Sequence, residues 1–293
     1  MAEPQPTYRF FDTQVLRTYP LSRSLRRIVL GTTGRGPDAR LGANAGLGAN
    51  AGLGANAGLG DIVSGGRDQR LKLFLPQAGQ DAPVLPDVLD TGWYARWRAL
   101  DPGVRGIMRT YTVRDVRREP DELDIDFALH GDLGPASRWA AAAAPGDRLT
   151  LLAPVVTDNG GVDFRPPEGT DWILLCADET AVPAVAGILE WLPAGTPVKA
   201  WISVGDPADR VELPTKCEAE ISWLTRPASV AEAVAASALP AGRPYAWLAG
   251  ESSLVRELRR HLVGPRAFPR ADVTFTGYWR AGTTEDALLE ESA

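Results

Sequence analysis

The sequence predicts a two-domain protein, all-β and then α/β: an antiparallel β-barrel followed by a doubly wound parallel sheet. Three observations predict it. The first half is a series of strand patterns interrupted by one helix. From about residues 165–171, "RPPEGTD", strands begin to alternate with helices. The 293 residues exceed what one core usually serves.

The strand patterns of the first half are "YRFFDTQVLRTYPLS", "LRRIVLG", "QRLKLFLP", "MRTYTVRDV", "ELDIDFALH" and "DRLTLLAPVV", each alternating or apolar over several residues. In "DELDIDFALH", Leu123, Ile125, Phe127 and Leu129 share one face, and Asp124, Asp126 and His130 share the other. The one helix is "PASRWAAAAA": Pro135 suits a first turn, and "APGD" at 144–147 stops it. Many strands with a single helix indicate a barrel or sandwich.

The second half reads as strand "DWILLCA", helix "DETAVPAVAGILEWL", strands "VKAWISVG" and "AEISWLTR", helix "SVAEAVAASAL", strand "YAWLAGE", helix "SSLVRELRRHLV" and strand "DVTFTGYWR". This alternation specifies a parallel, doubly wound sheet. The expected domains are 1–167 and 168–293, the second ending in an acidic tail, "AGTTEDALLEESA", that frays. "LGANAG" occurs three times in a row from Leu41. A period of six does not keep Leu on one helix face, and the repeat lacks the acids of a calcium-binding array, so 41–60 reads as a low-complexity insertion between barrel strands.

Composition narrows the function. The net charge is −6 and no basic tract exceeds a few residues, which argues against nucleic acid as a partner. No apolar run reaches the ~20 residues of a membrane span, and "MAEPQPTYRFFD" does not have the pattern of a secretory signal, so the expected compartment is the cytoplasm. Two cysteines, Cys176 and Cys217, suit neither a disulfide framework nor an iron–sulfur cluster. The phosphate loop G-x-x-x-x-G-K-[ST], the nucleophile elbow G-x-S-x-G and the G-x-G-x-x-G fingerprint are missing. The two histidines, His130 and His261, do not have metal-site spacing, so no metal site is expected.

One strand remains unexplained. "MRTYTVRD", 108–115, carries Arg109, Tyr111, Thr112 and Arg114. Arg109 and Tyr111 share a face, and Thr112 takes the other. A guanidinium fork suits a diphosphate, a phenol ring suits an aromatic plane, and a short hydroxyl suits a ring nitrogen. Taken alone, the strand reads more readily as a solvated sheet face. Further on, "DIDFALHGDLGPASRWA" places Gly131, Gly134, Ala136 and Ser137 where a helix start seats an anion, or where the chain simply turns.

Together "RTYTVRD", "DIDFALHGDLGPASRWA" and "PGDRLTLLAP" resemble the flavin domain of the siderophore-interacting proteins, FAD-dependent ferric-siderophore reductases of the ferredoxin-reductase superfamily. "CADETAVPAVAGILEWLP" and "WLAGE…VRELRRHL…GYWRAG" extend the resemblance over roughly residues 5–285. The resemblance implies a flavin-binding barrel followed by an NAD(P)H-binding domain. It implies that Arg109 binds the FAD diphosphate, that Tyr111 packs on the flavin, and that Thr112 approaches flavin N5. Val113 and Arg114 offer backbone and charge beside the ring or phosphate. Asp126 and His130 line the flavin edge or the adenosine half. Ala136 and Ser137 meet the diphosphate, and Trp139 packs nearby. In the second domain Asp178, Glu179 and Thr180 sit where NAD(P)H enters, with the Thr180 hydroxyl and free amides as ligands. Tyr278 and Trp279 cover the flavin's nicotinamide side. Ordinary helix capping for 178–180 and core packing for Trp139, Tyr278 and Trp279 stay open as readings.

The implied activity is reduction of a ferric siderophore, with electrons from NADPH, NADH or a reduced ferredoxin. A flavin reductase serving a protein acceptor and a siderophore-binding module without electron transfer are the alternatives. Arg210, after the second α/β strand, is a candidate for a 2′-phosphate or a solvated loop residue. The insertion at 41–60 is not part of the family pattern.

Overall fold

A computed structural model describes residues 6–33, 58–129 and 134–283. His130, Gly131, residues 41–57 of the repeat region and residues 284–293 of the acidic tail lie outside the described residues.

The first sheet contains β1 (Tyr8–Pro20), β2 (Leu25–Thr32), β3 (Arg70–Leu75), β4 (Ile107–Thr112), β5 (Asp115–Arg118), β6 (Asp121–Ala128) and β7 (Arg148–Pro154). They form an antiparallel sheet in the order β4-β3-β7-β1-β2-β6-β5. Alternation aims Phe11, Val15, Ile28, Leu30, Leu71, Leu73, Leu123, Ile125, Phe127, Leu149 and Leu151 into one core. The sheet curls round that core until the chain after β4 reaches β6, where Arg114 N–H donates to the Asp124 carbonyl at 3.0 Å. The segment read as one strand, 108–116, is therefore two. Val113 N–H turns to the Gln69 carbonyl at 2.8 Å, and this breaks the ladder between β4 and β5.

Helix α1 (Trp93–Ala99) was not anticipated, because seven residues are too few for a helical period to show. It is held on the sheet's outer face by Trp97, which packs against Phe74 and Met108 and donates its indole N–H to the Gly106 carbonyl at 3.0 Å. Helix α2 (Pro135–Ala142) caps the inner core with Ala136 and Ala140.

The second sheet contains β8 (Trp172–Asp178), β9 (Pro197–Val204), β10 (Glu218–Thr225), β11 (Pro244–Glu251) and β12 (Val273–Trp279). All are parallel, in the order β10-β9-β8-β11-β12. Helix α3 (Val182–Trp191) covers one face through Val185, Ile188 and Leu189. Helices α4 (Val230–Ala236) and α5 (Ser252–Val263) cover the other through Val234, Val255 and Leu258. Burial on both faces explains why β8 is apolar almost throughout. The helix expected over 178–192 starts later. Asp178 still belongs to β8, Glu179–Ala181 form a 3₁₀ turn, and α3 begins at Val182 with Pro183 in its first turn.

The connection between the sheets, 155–171, is fixed to both. The Asp68 carboxylate, just before β3, accepts Phe164 N–H at 3.1 Å, Asp163 N–H at 3.2 Å and the Trp247 indole N–H of β11 at 3.0 Å. Burial pushes the Asp68 carboxyl above its ordinary range. Arg67 completes the clamp. Its guanidinium lies 4.7 Å from the Trp191 ring, and a Cβ at Gly187 of α3 would come within 2.2 Å of its carbonyl oxygen. Only glycine permits that approach.

Candidate functional site

β4 divides its side chains as the pattern requires. Ile107, Arg109 and Tyr111 turn to the inner core, and Met108 packs in the cluster on the outer face. Arg109 is buried, and its Nη1 donates to the Met108 carbonyl at 2.7 Å. The Tyr111 ring is half-buried, 4.3 Å from Phe127, which is 5.8 Å from Trp139. This aromatic row ties β4 through β6 to α2, so Arg109, Tyr111, Ala136, Ser137 and Trp139 border one region. Ala136 and Ser137 are buried in the first turn of α2, which starts after Gly134 and has Pro135 as its first residue. This donor set fits a flavin dinucleotide, with a buried guanidinium and a helix start for the diphosphate and a tilted aromatic row for a planar ring.

Thr112 and Val113 are buried at the end of β4. Beside Thr112 lies the phenol of Tyr278 from β12, which burial pushes above its ordinary range and contact with Thr112 draws partly back. The end of the flavin-motif strand thus meets the end of the last strand of the second sheet. Arg70 pairs with Asp163 in the same neighbourhood, and Asp163 also accepts from the Thr276 hydroxyl at 3.3 Å.

Arg114 and Asp126 are engaged elsewhere. The Arg114 guanidinium donates to Glu190 of α3 at 2.9 Å, joining the two sheets. Asp126 belongs to a ladder of buried carboxylates on the outer side of β6. It accepts Arg27 Nε at 2.6 Å and Nη2 at 2.8 Å. Asp124 accepts Arg117 at 2.5 Å, and Glu122 accepts both Arg17 nitrogens at 2.6 Å. The Arg17 fork, with Arg117 helping, draws Glu122 down to about 2.

In the second sheet the chain runs β8, β9, β10 to one side and then crosses to β11 and β12 on the other. The switch point therefore lies between the carboxyl ends of β8 and β11, the place where doubly wound sheets bind ligands. Asp178 ends β8 there. Its Oδ1 accepts Thr180 N–H at 2.9 Å and the Thr180 hydroxyl at 2.5 Å. Its Oδ2 accepts Glu251 N–H at 2.7 Å and the Trp279 indole N–H at 2.8 Å. Burial pushes the Asp178 carboxyl up, against the pull of these donors. The structure thus brings Asp178, Thr180 and Trp279 together, but the Thr180 hydroxyl and amide expected to meet a nucleotide both point to Asp178.

Glu179 is buried and holds the Arg226 guanidinium at 2.9 and 2.8 Å. Arg226 follows β10 and reaches across the end of β9, where a Cβ at Gly205 would meet its Nη2 at 2.9 Å. Its side chain is 49% exposed, so one guanidinium at the carboxyl edge still faces outward. Arg210, by contrast, is exposed after the 3₁₀ turn at Pro207–Asp209.

Sequence reasoning missed Asp68, Asp163, Arg226 and Glu251. The contacts of Asp68 with Trp247 and of Arg226 with Glu179 are created by topology alone. Asp68 in "GGRDQR" and Arg226 in "WLTRP" lie where local pattern shows only a turn and a strand end.

Two family models match the chain: the siderophore-interacting FAD-binding domain over residues 54–158, and the siderophore-interacting protein over 170–282. The ferric vibriobactin reductase ViuB of Vibrio cholerae is 32% identical over 241 residues, covering 79% of this chain and 84% of that protein. The NADPH-dependent ferric-chelate reductase of Escherichia coli is 32% identical over 278 residues, covering 93% and 94%. The crystal structure of the siderophore-interacting protein SipS from Aeromonas hydrophila superposes with a TM-score of 0.72 at 31% identity, covering 98% of this chain and 97% of that one. Fold and site define a two-domain flavoprotein of the reductase type, a curled antiparallel sheet joined to a doubly wound one. The chain belongs to the siderophore-interacting protein family.

Proposed function

We propose that this protein is an FAD-dependent reductase of ferric siderophores that takes electrons from NAD(P)H and releases iron as Fe(II). The observation that carries the reading is the meeting of the β4 motif with the second sheet: Arg109, Tyr111 and Thr112 lie on one strand, and Thr112 adjoins Tyr278, next to the switch-point residue Trp279. The matched reductases of V. cholerae and E. coli support the substrate class and the donor.

In this reading residues 1–167 hold FAD and residues 168–293 hold NAD(P)H. Arg109, the first turn of α2 and the Ser137 hydroxyl bind the diphosphate. Tyr111, with Phe127 and Trp139 behind it, supports the planar ring and keeps water from it, and Thr112 offers its hydroxyl to the ring edge. Arg226, steered by Glu179, is the anion partner for a phosphate of the nucleotide. When bound, FAD supplies the step from a two-electron donor to a one-electron acceptor. One NAD(P)H therefore suffices for two ferric ions, and Fe(II) leaves because hard oxygen ligands hold it less tightly than Fe(III). NAD(P)H as donor places the reaction in the cytoplasm; among the described residues no helix is long and apolar enough to cross a membrane.

The test is an absorbance titration of the purified protein with FAD. Flavin bands that shift on binding, and an affinity that Arg109→Ala lowers at least tenfold, the scale of one lost charge-assisted pair, are expected. No binding of FAD would sink the proposal. Running iron reduction with NADPH, NADH and reduced ferredoxin in parallel identifies the donor.

A further inference from the structure

We propose that Asp178 is a positioning residue: its carboxylate fixes the indole of Trp279 at the switch point and so sets the surface on which the nicotinamide half of NAD(P)H docks. The proposal deepens the functional reading above and rests on it.

The geometry leaves Asp178 no direct role. Each of its oxygens accepts two hydrogen bonds, from Thr180 N and Oγ1 on one side and from Glu251 N and Trp279 Nε1 on the other. A carboxylate so occupied has no favourable lone pair left for a ligand. Asp178 is also almost fully enclosed, with a relative exposure of 2%. Of the half-buried residues it holds, Thr180, Glu251 and Trp279, only Trp279 presents an aromatic ring.

The surroundings are built for this contact. Gly250 sits at φ +135°, and a Cβ there would stand 2.6 Å from the Asp178 carboxylate. Gly277 is equally constrained, because its Cβ would meet Ser252 Oγ at 2.5 Å. That close approach lets the Ser252 hydroxyl donate to the Trp279 carbonyl at 2.8 Å, while Ala281 N–H donates to Glu251 at 3.3 Å. The ladder between β11 and β12 shifts register at this point, which pairs Glu251 with Trp279. Two glycines, a serine and a glutamate thus lay the end of β12 over the start of α5, and Asp178 anchors the ring that projects from it. An indole bonded to a buried carboxylate keeps one orientation, so the docking surface is organised before the ligand arrives.

The test uses the full chain loaded with FAD, with NADPH as the varied substrate and a ferric chelate as acceptor. Asp178→Asn places an amide N–H against at least one of the four donors. It is expected to raise KM for NADPH about tenfold, more than it lowers kcat, with flavin absorbance retained. Trp279→Phe, which keeps the aromatic surface and removes the donor, should shift KM in the same direction, and the double variant should be no worse than Asp178→Asn. The Trp279 indole proton, assigned by its loss in Trp279→Phe, should move and exchange faster in Asp178→Asn. An unchanged KM in both single variants, additive effects in the double, or an unmoved indole proton overturns the proposal; if Asp178→Asn does not fold, Trp279→Phe alone decides through KM. A wild-type protein that oxidises no NADPH overturns the functional reading and the docking role together, an outcome distinct from active wild type with indifferent variants.

Discussion

The carboxylates of this protein are buried in two different ways. On the outer side of β6, Glu122, Asp124 and Asp126 lie within reach of Arg17, Arg27 and Arg117, charge against charge. Where the two sheets meet, Asp68 and Asp178 are held by neutral N–H and O–H donors from the chain around them. The ladder knits strands of one sheet, whereas Asp68 ties the start of β3 to β11 of the other sheet and Asp178 ties the ends of β8, β11 and β12. Ion pairing makes a robust wall that works at many sites, while neutral donors arranged round one acid define a particular geometry. That geometry lies next to the proposed cofactor sites.

The largest stability effect should come from unbalancing the ladder. Arg27→Met keeps much of the apolar stem but takes the fork from buried Asp126, leaving it the Arg114 guanidinium at 4.0 Å, a loss of about 3 kcal/mol by the general cost of breaking a buried pair. Denaturant unfolding measures it, and a loss under about 1 kcal/mol would place this ladder with ordinary surface pairs. The clamp comes next. Asp68→Asn must turn its amide toward the Phe164 and Asp163 N–H groups or toward the Trp247 indole, at roughly 2 kcal/mol. Limited proteolysis between the sheets, at 155–171, should then speed up. Unaltered cleavage would show that the connection does not depend on Asp68.

Acid separates the two kinds of carboxylate by sign. Glu122 is held at about 2, below its usual 4.5, so its contribution is complete above about pH 4.5 and is lost as pH falls through about 2. Asp68 and Asp178 are pushed above their usual 3.8, so their contribution is complete below that value and is lost as pH rises through their raised values. Tm measured against pH should therefore fall less steeply on the acid side of about pH 4.5 in Glu122→Gln. Asp68→Asn should remove an opposite slope at higher pH, and identical curves for the two variants would erase the distinction. The smallest effect belongs to Arg114→Ala, which removes the pair with the 42% exposed Glu190. The expected loss is under about 1 kcal/mol in thermal unfolding, further reduced by salt.

These contrasts also explain what was legible in the sequence. Alternation in "ELDIDFALH" and the apolar run in "DWILLCA" announce their strands, and the change of rhythm announces the parallel sheet. Helix α1 and the break between β4 and β5 are not announced, since each rests on a tertiary contact, Trp97 on Phe74 and Val113 on the Gln69 carbonyl. In the candidate site, Arg109, Tyr111 and Thr112 are neighbours on one strand and visible together. Asp178, Glu251 and Trp279 are separated by up to about a hundred residues and meet only because the strand order places their ends side by side. Arg114 and Asp126 show the converse: chemically suited to a cofactor, they are spent on Glu190 and Arg27.

The central claim is that this chain carries electrons from NAD(P)H through FAD to siderophore-bound iron. Its most direct test is anaerobic. NADPH is added to the FAD-loaded protein, then a ferric siderophore, with a ferrous-specific chelator present. The account predicts that the flavin bands bleach with NADPH and return when the ferric siderophore is added, with two Fe(II) captured per NADPH consumed. Bleaching with no return of the bands and no captured Fe(II), while a protein acceptor does restore them, would contradict it.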